Sequence, residues 1–182
     1  MTRFFPPEAY SELNEGISQV LFSEETIQAK VLELGQAISR DYEGCHPILV
    51  GVLKGVFPFM SDLLRAITIP VEVDFMAIAS YSAEARDKGY VRLQKDLDDS
   101  IAGRHVLFVE DVVDTGLTLN YLLGNLRARQ PASLKVCALF SKGRRRLISV
   151  PLQYQGFDLP DKFVVGYGLD YADTYRTLPY IG

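Results

Sequence analysis

Apolar and polar positions along this chain follow two rhythms. From Ser23 to Tyr42, Ile27, Val31, Leu34 and Ile38 recur at helical spacing behind a serine and two acids, which predicts an amphipathic helix capped by Ser23. Four apolar runs follow, Pro47 to Leu53, Val71 to Ser80, His105 to Val113 and Leu134 to Phe140, each read as a buried strand. Two more helical patterns lie between them. "FPFMSDLLRAI" (57 to 67) has Pro58 near its first helical position, and "LTLNYLLGNLRAR" (117 to 129) is ended by Pro131. Strands alternating with helices imply crossover connections, hence a mostly parallel sheet covered on both faces. Ligands on such sheets bind beyond the carboxyl ends of the strands. One stretch breaks the rhythm: "SAEARDKGYVRLQKDLDDS" (82 to 100) is charged and poor in apolar residues, and reads as a long mobile lid loop or a weak hairpin ending near Val91 to Leu93.

Composition narrows the function classes. The 182 residues, 48% hydrophobic, suit one compact domain over residues 1 to 182. Nineteen Lys and Arg against 23 Asp and Glu leave a formal charge of -4, so no general basic field draws in nucleic acid or an anionic membrane. An anionic ligand must be held by local design. Arg144 to Arg146 read as a solvated face or an intersubunit contact. Cys45 and Cys137 lack paired spacing and read as buried, reduced thiols in a cytoplasmic protein. The N-terminal prolines and acids do not suit a secretory signal, and no apolar run approaches membrane-spanning length. His46 and His105 stand without a partner at zinc-ligand spacing, and neither the serine-hydrolase elbow nor the nucleotide P-loop motif occurs.

The most informative stretch is "VLFVEDVVDTGLTL" (106 to 119). After four apolar strand residues, Glu110 and Asp111 emerge at the ligand edge and, as strand neighbours, point to opposite sides of the sheet. Thr115, Gly116, Leu117 and Thr118 then form a short turn and a helix start, where unpaired backbone N–H groups and the helix dipole attract phosphate. Phosphate beside three carboxylates is stable only if the carboxylates meet hydroxyls or a hard cation. A sugar phosphate with Mg²⁺ meets that demand. Asp114 is then free to act as a general base or to stabilise developing positive charge. The plainer alternative is an ordinary solvated helix cap, for which Asp and Thr are also favoured.

Two further motifs sit at the same predicted edge. "VLKGVF" (52 to 57) places Lys54 and Gly55 before a helix start, which suits a pyrophosphate, though an exposed lysine in a common turn would read alike. In "PDKFVVGYGLDYADTYR" (160 to 176), Lys162 beside Phe163 suits a flat, carbonyl-bearing heterocycle, while Phe163 to Val165 also fits plain strand core.

Residues 106 to 119 resemble the signature by which type I phosphoribosyltransferases bind 5-phosphoribosyl 1-pyrophosphate, in the form carried by hypoxanthine-guanine phosphoribosyltransferases. The likeness runs from about Ser23 to Tyr175, with four motifs in the family's order. It implies the type I phosphoribosyltransferase fold: a mostly parallel twisted α/β sheet flanked by helices, with a small hood region and a flexible lid loop. It also implies Mg²⁺-dependent transfer of the phosphoribosyl group to N9 of hypoxanthine or guanine, releasing pyrophosphate. Asp114 would take the purine N7 proton, Glu110, Asp111 and Asp170 would hold the metal, and 115 to 118 would hold the 5-phosphate. Lys54, Gly55 and Arg176 would meet pyrophosphate, with a cis peptide between Leu53 and Lys54.

Around the base, the resemblance has Lys162 reading the 6-oxo group, Phe163 stacking, and the Val164 backbone bonding the ring edge. Lys142 would lie between purine and ribose phosphate, with Asp170 nearby. Two departures stand out. Ser141-Lys142-Gly143 replaces the Asp-Lys-Pro of many bacterial members, and the residues after Ser80-Tyr81 lack the family's Ser/Thr/Gly-rich lid composition. A homodimer or homotetramer follows by similarity. Two other readings stay open: a 5-phosphoribosyl 1-pyrophosphate-binding regulator of the same fold, and a transferase for xanthine, adenine or a pyrimidine. Adenine offers a donor where Lys162 needs an acceptor, which favours a 6-oxopurine.

Overall fold

The computed structural model of the chain describes residues 7–79 and 92–182. After the short α1 (Ser11–Asn14), helix α2 (Glu24–Asp41) starts where the pattern places it. Ser23 Oγ accepts the Thr26 N–H at 3.3 Å, and Ile27, Val31, Leu34 and Ile38 are buried along one face. The chain continues through β1 (Ile48–Leu53), α3 (Phe57–Ala66), β2 (Glu72–Ala79) and β3 (Arg92–Lys95). It then forms β4 (His105–Val113), α4 (Leu117–Arg127), β5 (Ser133–Ser141) and β6 (Tyr154–Asp158).

The strands lie in the order β3-β2-β1-β4-β5-β6, parallel throughout except for the antiparallel β2–β3 pair. Because strand side chains alternate between faces, Leu49, Leu107, Val109 and Leu139 meet α2 and α3 on one side. Val50, Val106, Phe108 and Ala138 meet Leu119, Leu122 and Leu126 of α4 on the other. Both faces are covered, as the continuous apolar runs require.

From β1 the chain steps outward to β2 on one side, while β4 returns on the other. That reversal is the topological switch point, where the connections leaving adjacent strands diverge and open a crevice. The β1–β4 ladder ends at Gly51↔Val109, whereas β4 stays paired with β5 as far as Val113↔Ser141. Glu110 and Asp111 therefore lie just past the point where β4 loses its β1 partner.

Of the two readings of 82 to 100, the described part favours the hairpin, which runs past Leu93 to Lys95: β3 pairs antiparallel with β2, and Lys95 Nζ lies 3.1 Å from both the buried Asp74 and the exposed Asp98. The remainder of the predicted lid up to residue 91, with Ser80 and Tyr81, lies outside the described residues. No apolar run marks β6; its "YQGFD" holds a glycine and two polar residues, and it joins the sheet through its ladder to β5. Cys137 is buried as expected, but Cys45 is only half-buried, because it sits in the turn that follows α2.

Beyond β6 the chain folds back irregularly. Leu21 N–H donates to Ile181 O at 2.7 Å, Ile181 N–H to Phe22 O at 3.0 Å, and Gly182 N–H to Val165 O at 3.0 Å. Residues 159 to 182 are thus tied to the segment preceding α2 and suspended over the carboxyl ends of β1 and β4. Among the described residues, no helix is long and apolar enough to cross a membrane.

Candidate active site

The acidic tip of β4 faces a cleft of about 890 Å³. Glu110, Asp111, Asp114, Thr115, Gly116 and Thr118 all line it, opposite Lys54, Gly55, Asp170 and Arg176. Most of the residues that sequence reasoning assigned to phosphate, pyrophosphate and metal share this one space; Leu117 is not among its lining residues. Asp111 follows Leu107 and Val109 onto the α3 side, where it presses on the backbone of Gly55. A Cβ at Gly55 would collide with Asp111 Oδ2. The Val112 N–H donates to Asp111 Oδ1 at 2.7 Å. Glu110 follows Val106 and Phe108 toward the α4 side, and its buried Oε2 has no hydrogen-bond donor among the described residues.

Burial disfavours the charged form of both carboxyls. It pushes the Asp111 carboxyl up to about 6; the Val112 N–H and the Arg176 charge act against it, and Asp170 adds to it. Burial, reinforced by the Asp111 charge, raises Glu110 well above the usual carboxylate range. Two carboxyls this reluctant to ionise together are suited to hydroxyl donors or a cation arriving from the ligand.

Asp114-Thr115-Gly116 makes the turn into α4. Gly116 precedes the first helical residue with φ +84°, a conformation that strongly favours glycine. A strap crosses this turn: Leu147 and Ile148 N–H donate to Thr115 O at 2.9 and 3.2 Å. Within the strap, Arg146 Nη2 donates to the buried Ser141 Oγ at 2.7 Å, and Arg145 Nε lies 3.3 Å from Asp114 Oδ1 and 3.8 Å from Asp161 Oδ1. The reading of Arg144 to Arg146 as a solvated face holds for Arg144 and Arg145, which are exposed although Arg145 also pairs with the candidate base, and fails for Arg146, which is half-buried against the Gly116 turn. A run of three arginines carries no periodicity, so nothing in the sequence marked the pair.

Lys54 follows a cis peptide between Leu53 and Lys54, as the resemblance implies. Its Nζ lies 3.3 Å from Asp173 Oδ1. Arg176 Nη2 lies 2.7 Å from Asp170 Oδ1 and 3.1 Å from Asp173 Oδ1, and its Nη1 donates to Gly168 O at 2.7 Å. Gly168, at φ +95°, lies against the Gly55 carbonyl where a Cβ would clash. The Lys-Gly turn and the arginine segment are therefore in direct backbone contact. Asp173 is held below the usual carboxylate range by Arg176 and Lys54. Sequence reasoning passed over it.

The candidate base-binding residues lie beside the cleft. Phe163 is 72% exposed and stands edge-on to Tyr171, with centroids 5.8 Å apart at 86°. Tyr171 itself lines the cleft. The strand-core alternative for Phe163 to Val165 fails for Phe163, since no ladder forms there and only Val164 and Val165 are buried. Lys142 is buried and its ammonium donates to the Lys162 carbonyl at 2.7 Å, joining β5 to the segment that carries Phe163. Lys162 itself is exposed.

Fold and site together define an α/β protein with a charged cleft at the topological switch point of its sheet. The family description "Phosphoribosyl transferase domain" matches residues 21–172. A hypoxanthine-guanine phosphoribosyltransferase of Streptococcus agalactiae is 48% identical over 170 residues, covering 93% of this chain and 94% of that protein. The one from Bacillus subtilis is 46% identical over the same shares of the two chains. A crystal structure of a hypoxanthine phosphoribosyltransferase from Staphylococcus aureus superposes with a TM-score of 0.90 at 42% identity, covering 94% of this chain and 93% of that one. The chain belongs to the phosphoribosyltransferase family, in its hypoxanthine-guanine branch.

Proposed function

We propose that the protein transfers the phosphoribosyl group of 5-phosphoribosyl 1-pyrophosphate to N9 of hypoxanthine or guanine, giving IMP or GMP and pyrophosphate in purine salvage. The single observation that carries this reading is the meeting of two unlike ends in one cleft. On one side the Glu110–Asp111 tip abuts the 115 to 118 helix start; on the other stand Lys54 and Arg176. An activated sugar bearing a monoester, free hydroxyls and a diphosphate presents the same sequence of groups.

In this reading the 5-phosphate takes the amides and hydroxyls of 115 to 118, the ribose hydroxyls donate to Glu110 and Asp111, and the diphosphate meets Lys54 and Arg176. Glu110, Asp111 and Asp170 are hard oxygen donors suited to Mg²⁺, and the partnerless Glu110 Oε2 supports that fit. Among the described residues, no three such side chains converge into a protein-only cage. An ion at this tip would take one or two of these carboxylates, with water and substrate phosphates completing its shell. Neutralisation of the leaving diphosphate is what the ion supplies when bound.

Asp114 takes the N7 proton of the purine as the anomeric bond breaks. Lys162 reads the 6-oxo group, Phe163 and Tyr171 present aromatic surface to the base, and the Val164 backbone meets its edge. Lys142 acts by holding Lys162 in place. Two unbridged cysteines agree with a reducing cytoplasm. A homodimer or homotetramer completes the reading, to be checked by light scattering.

The test is nucleotide synthesis. The protein is incubated with 5-phosphoribosyl 1-pyrophosphate and each purine base, with and without Mg²⁺, and products are separated chromatographically. IMP or GMP is expected only with the metal. No product from either 6-oxopurine ends the proposal, and product from xanthine alone moves it to a neighbouring specificity.

A further inference from the structure

Resting on that reading, one contact in the cleft differs in kind from its neighbours. Lys54 follows β1 and Arg176 lies beyond β6, yet both approach a single oxygen, Asp173 Oδ1, at 3.3 and 3.1 Å. Arg176 does not depend on that contact for its position, because Asp170 Oδ1 and the Gly168 carbonyl each hold it at 2.7 Å. The two carboxylates also differ in exposure: the side chain of Asp170 is 32% exposed and that of Asp173 is 70%. An exposed ion pair contributes little and yields readily, while a shielded one resists.

Asp173 thus supplies one negative oxygen between two cations from distant parts of the chain. A diphosphate oxygen has the same requirement, and it brings further charge that a single carboxylate lacks. We propose that Asp173 is an internal competitor for the diphosphate: its carboxylate occupies the Lys54–Arg176 pair in the free enzyme, gives way as the activated sugar binds, and returns as pyrophosphate leaves. The device keeps both cations compensated between turnovers. It also loosens the hold on pyrophosphate, a product whose release must not become too slow.

The backbone at Asp173 has φ +61°. Asparagine tolerates that conformation and glycine adopts it freely, so Asp173→Asn and Asp173→Gly both remove the charge without straining the turn. Calorimetric titration with inorganic pyrophosphate and Mg²⁺ is expected to show about two- to five-fold tighter binding in both variants, the size an exposed ion pair supports. Ribose 5-phosphate, which takes the 115 to 118 turn, should bind as to the wild type. KM for 5-phosphoribosyl 1-pyrophosphate falls by a similar factor, with no rise in kcat.

Unchanged or weaker pyrophosphate binding in either variant overturns the inference. Equal tightening of ribose 5-phosphate also overturns it, since the cause would then be a general change of field. A wild-type protein that binds neither ligand sinks the parent reading with it. Normal wild-type binding without a gain in the variants sinks the inference alone.

Discussion

Gly55 and Asp111 lie so close that residue 55 has no room for a side chain, since even a methyl carbon would run into Asp111 Oδ2. The contact joins the turn after β1 to the tip of β4, across the point where the two strands part.

Gly55→Ala should therefore act on the acidic tip rather than on its own turn alone. Forcing a methyl into a filled space costs about 1–3 kcal/mol. Shared between the turn and Asp111, that strain is expected to raise KM for 5-phosphoribosyl 1-pyrophosphate about ten-fold. Steady-state kinetics with the sugar varied gives the answer, and a wild-type KM would show that the contact has no bearing on substrate binding.

Asp111 also sets a pH dependence. Its folded carboxyl titrates at about 6, and Glu110 is raised as well, whereas both titrate near 4 in an unfolded chain. The folded protein thus binds these protons more tightly than the unfolded one. The resulting stability is fully present below about pH 4 and is lost as pH rises through about 6. Asp111→Asn should raise the melting temperature at pH 7.5 and have little effect at pH 4. A gain of equal size at both values would assign the effect to packing.

Asp114→Asn removes the candidate base while leaving an isosteric group at the turn. Turnover is expected to fall by ~10²–10⁴-fold, with KM for the sugar close to wild type. If kcat and sugar affinity fall together, Asp114 serves binding instead.

Phe163→Ala separates stability from recognition. A side chain 72% exposed contributes little to folding, so unfolding should change by no more than about 0.5 kcal/mol. Loss of a stacking face costs about 1–3 kcal/mol of base binding, which predicts a KM for the purine raised roughly ten-fold or more. A variant that melts early and keeps its purine KM would return Phe163 to the core.

The parts of this fold that could be read from sequence are those where one physical signal dominates. The runs at β1 and at Val106 to Val109 of β4 are apolar because those two strands are central, and α2 announces itself by Ser23 and its buried stripe. The Glu110–Thr118 stretch was legible because an acidic strand end and a glycine turn coincide. Less legible were features that exist only through contacts distant in sequence. β6 holds its place through its ladder to β5, and Arg145 through Asp114 and Asp161. Asp173 becomes notable only once Lys54 is folded against it. Ordinary loop residues in sequence, they acquire a role from their neighbours in space.

The bonds between Leu21, Phe22 and Ile181 have a consequence for the birth of the protein. A chain leaving the ribosome displays its acidic strand end well before Arg176, and the tether that steadies Arg176 is made by residues translated later still. Until then the carboxylates face Lys54 without Arg176, and the wall opposite them is incomplete. Competence to grip an activated sugar should arrive abruptly, once Ile181 has joined Leu21 and Phe22, instead of growing in step with the sheet.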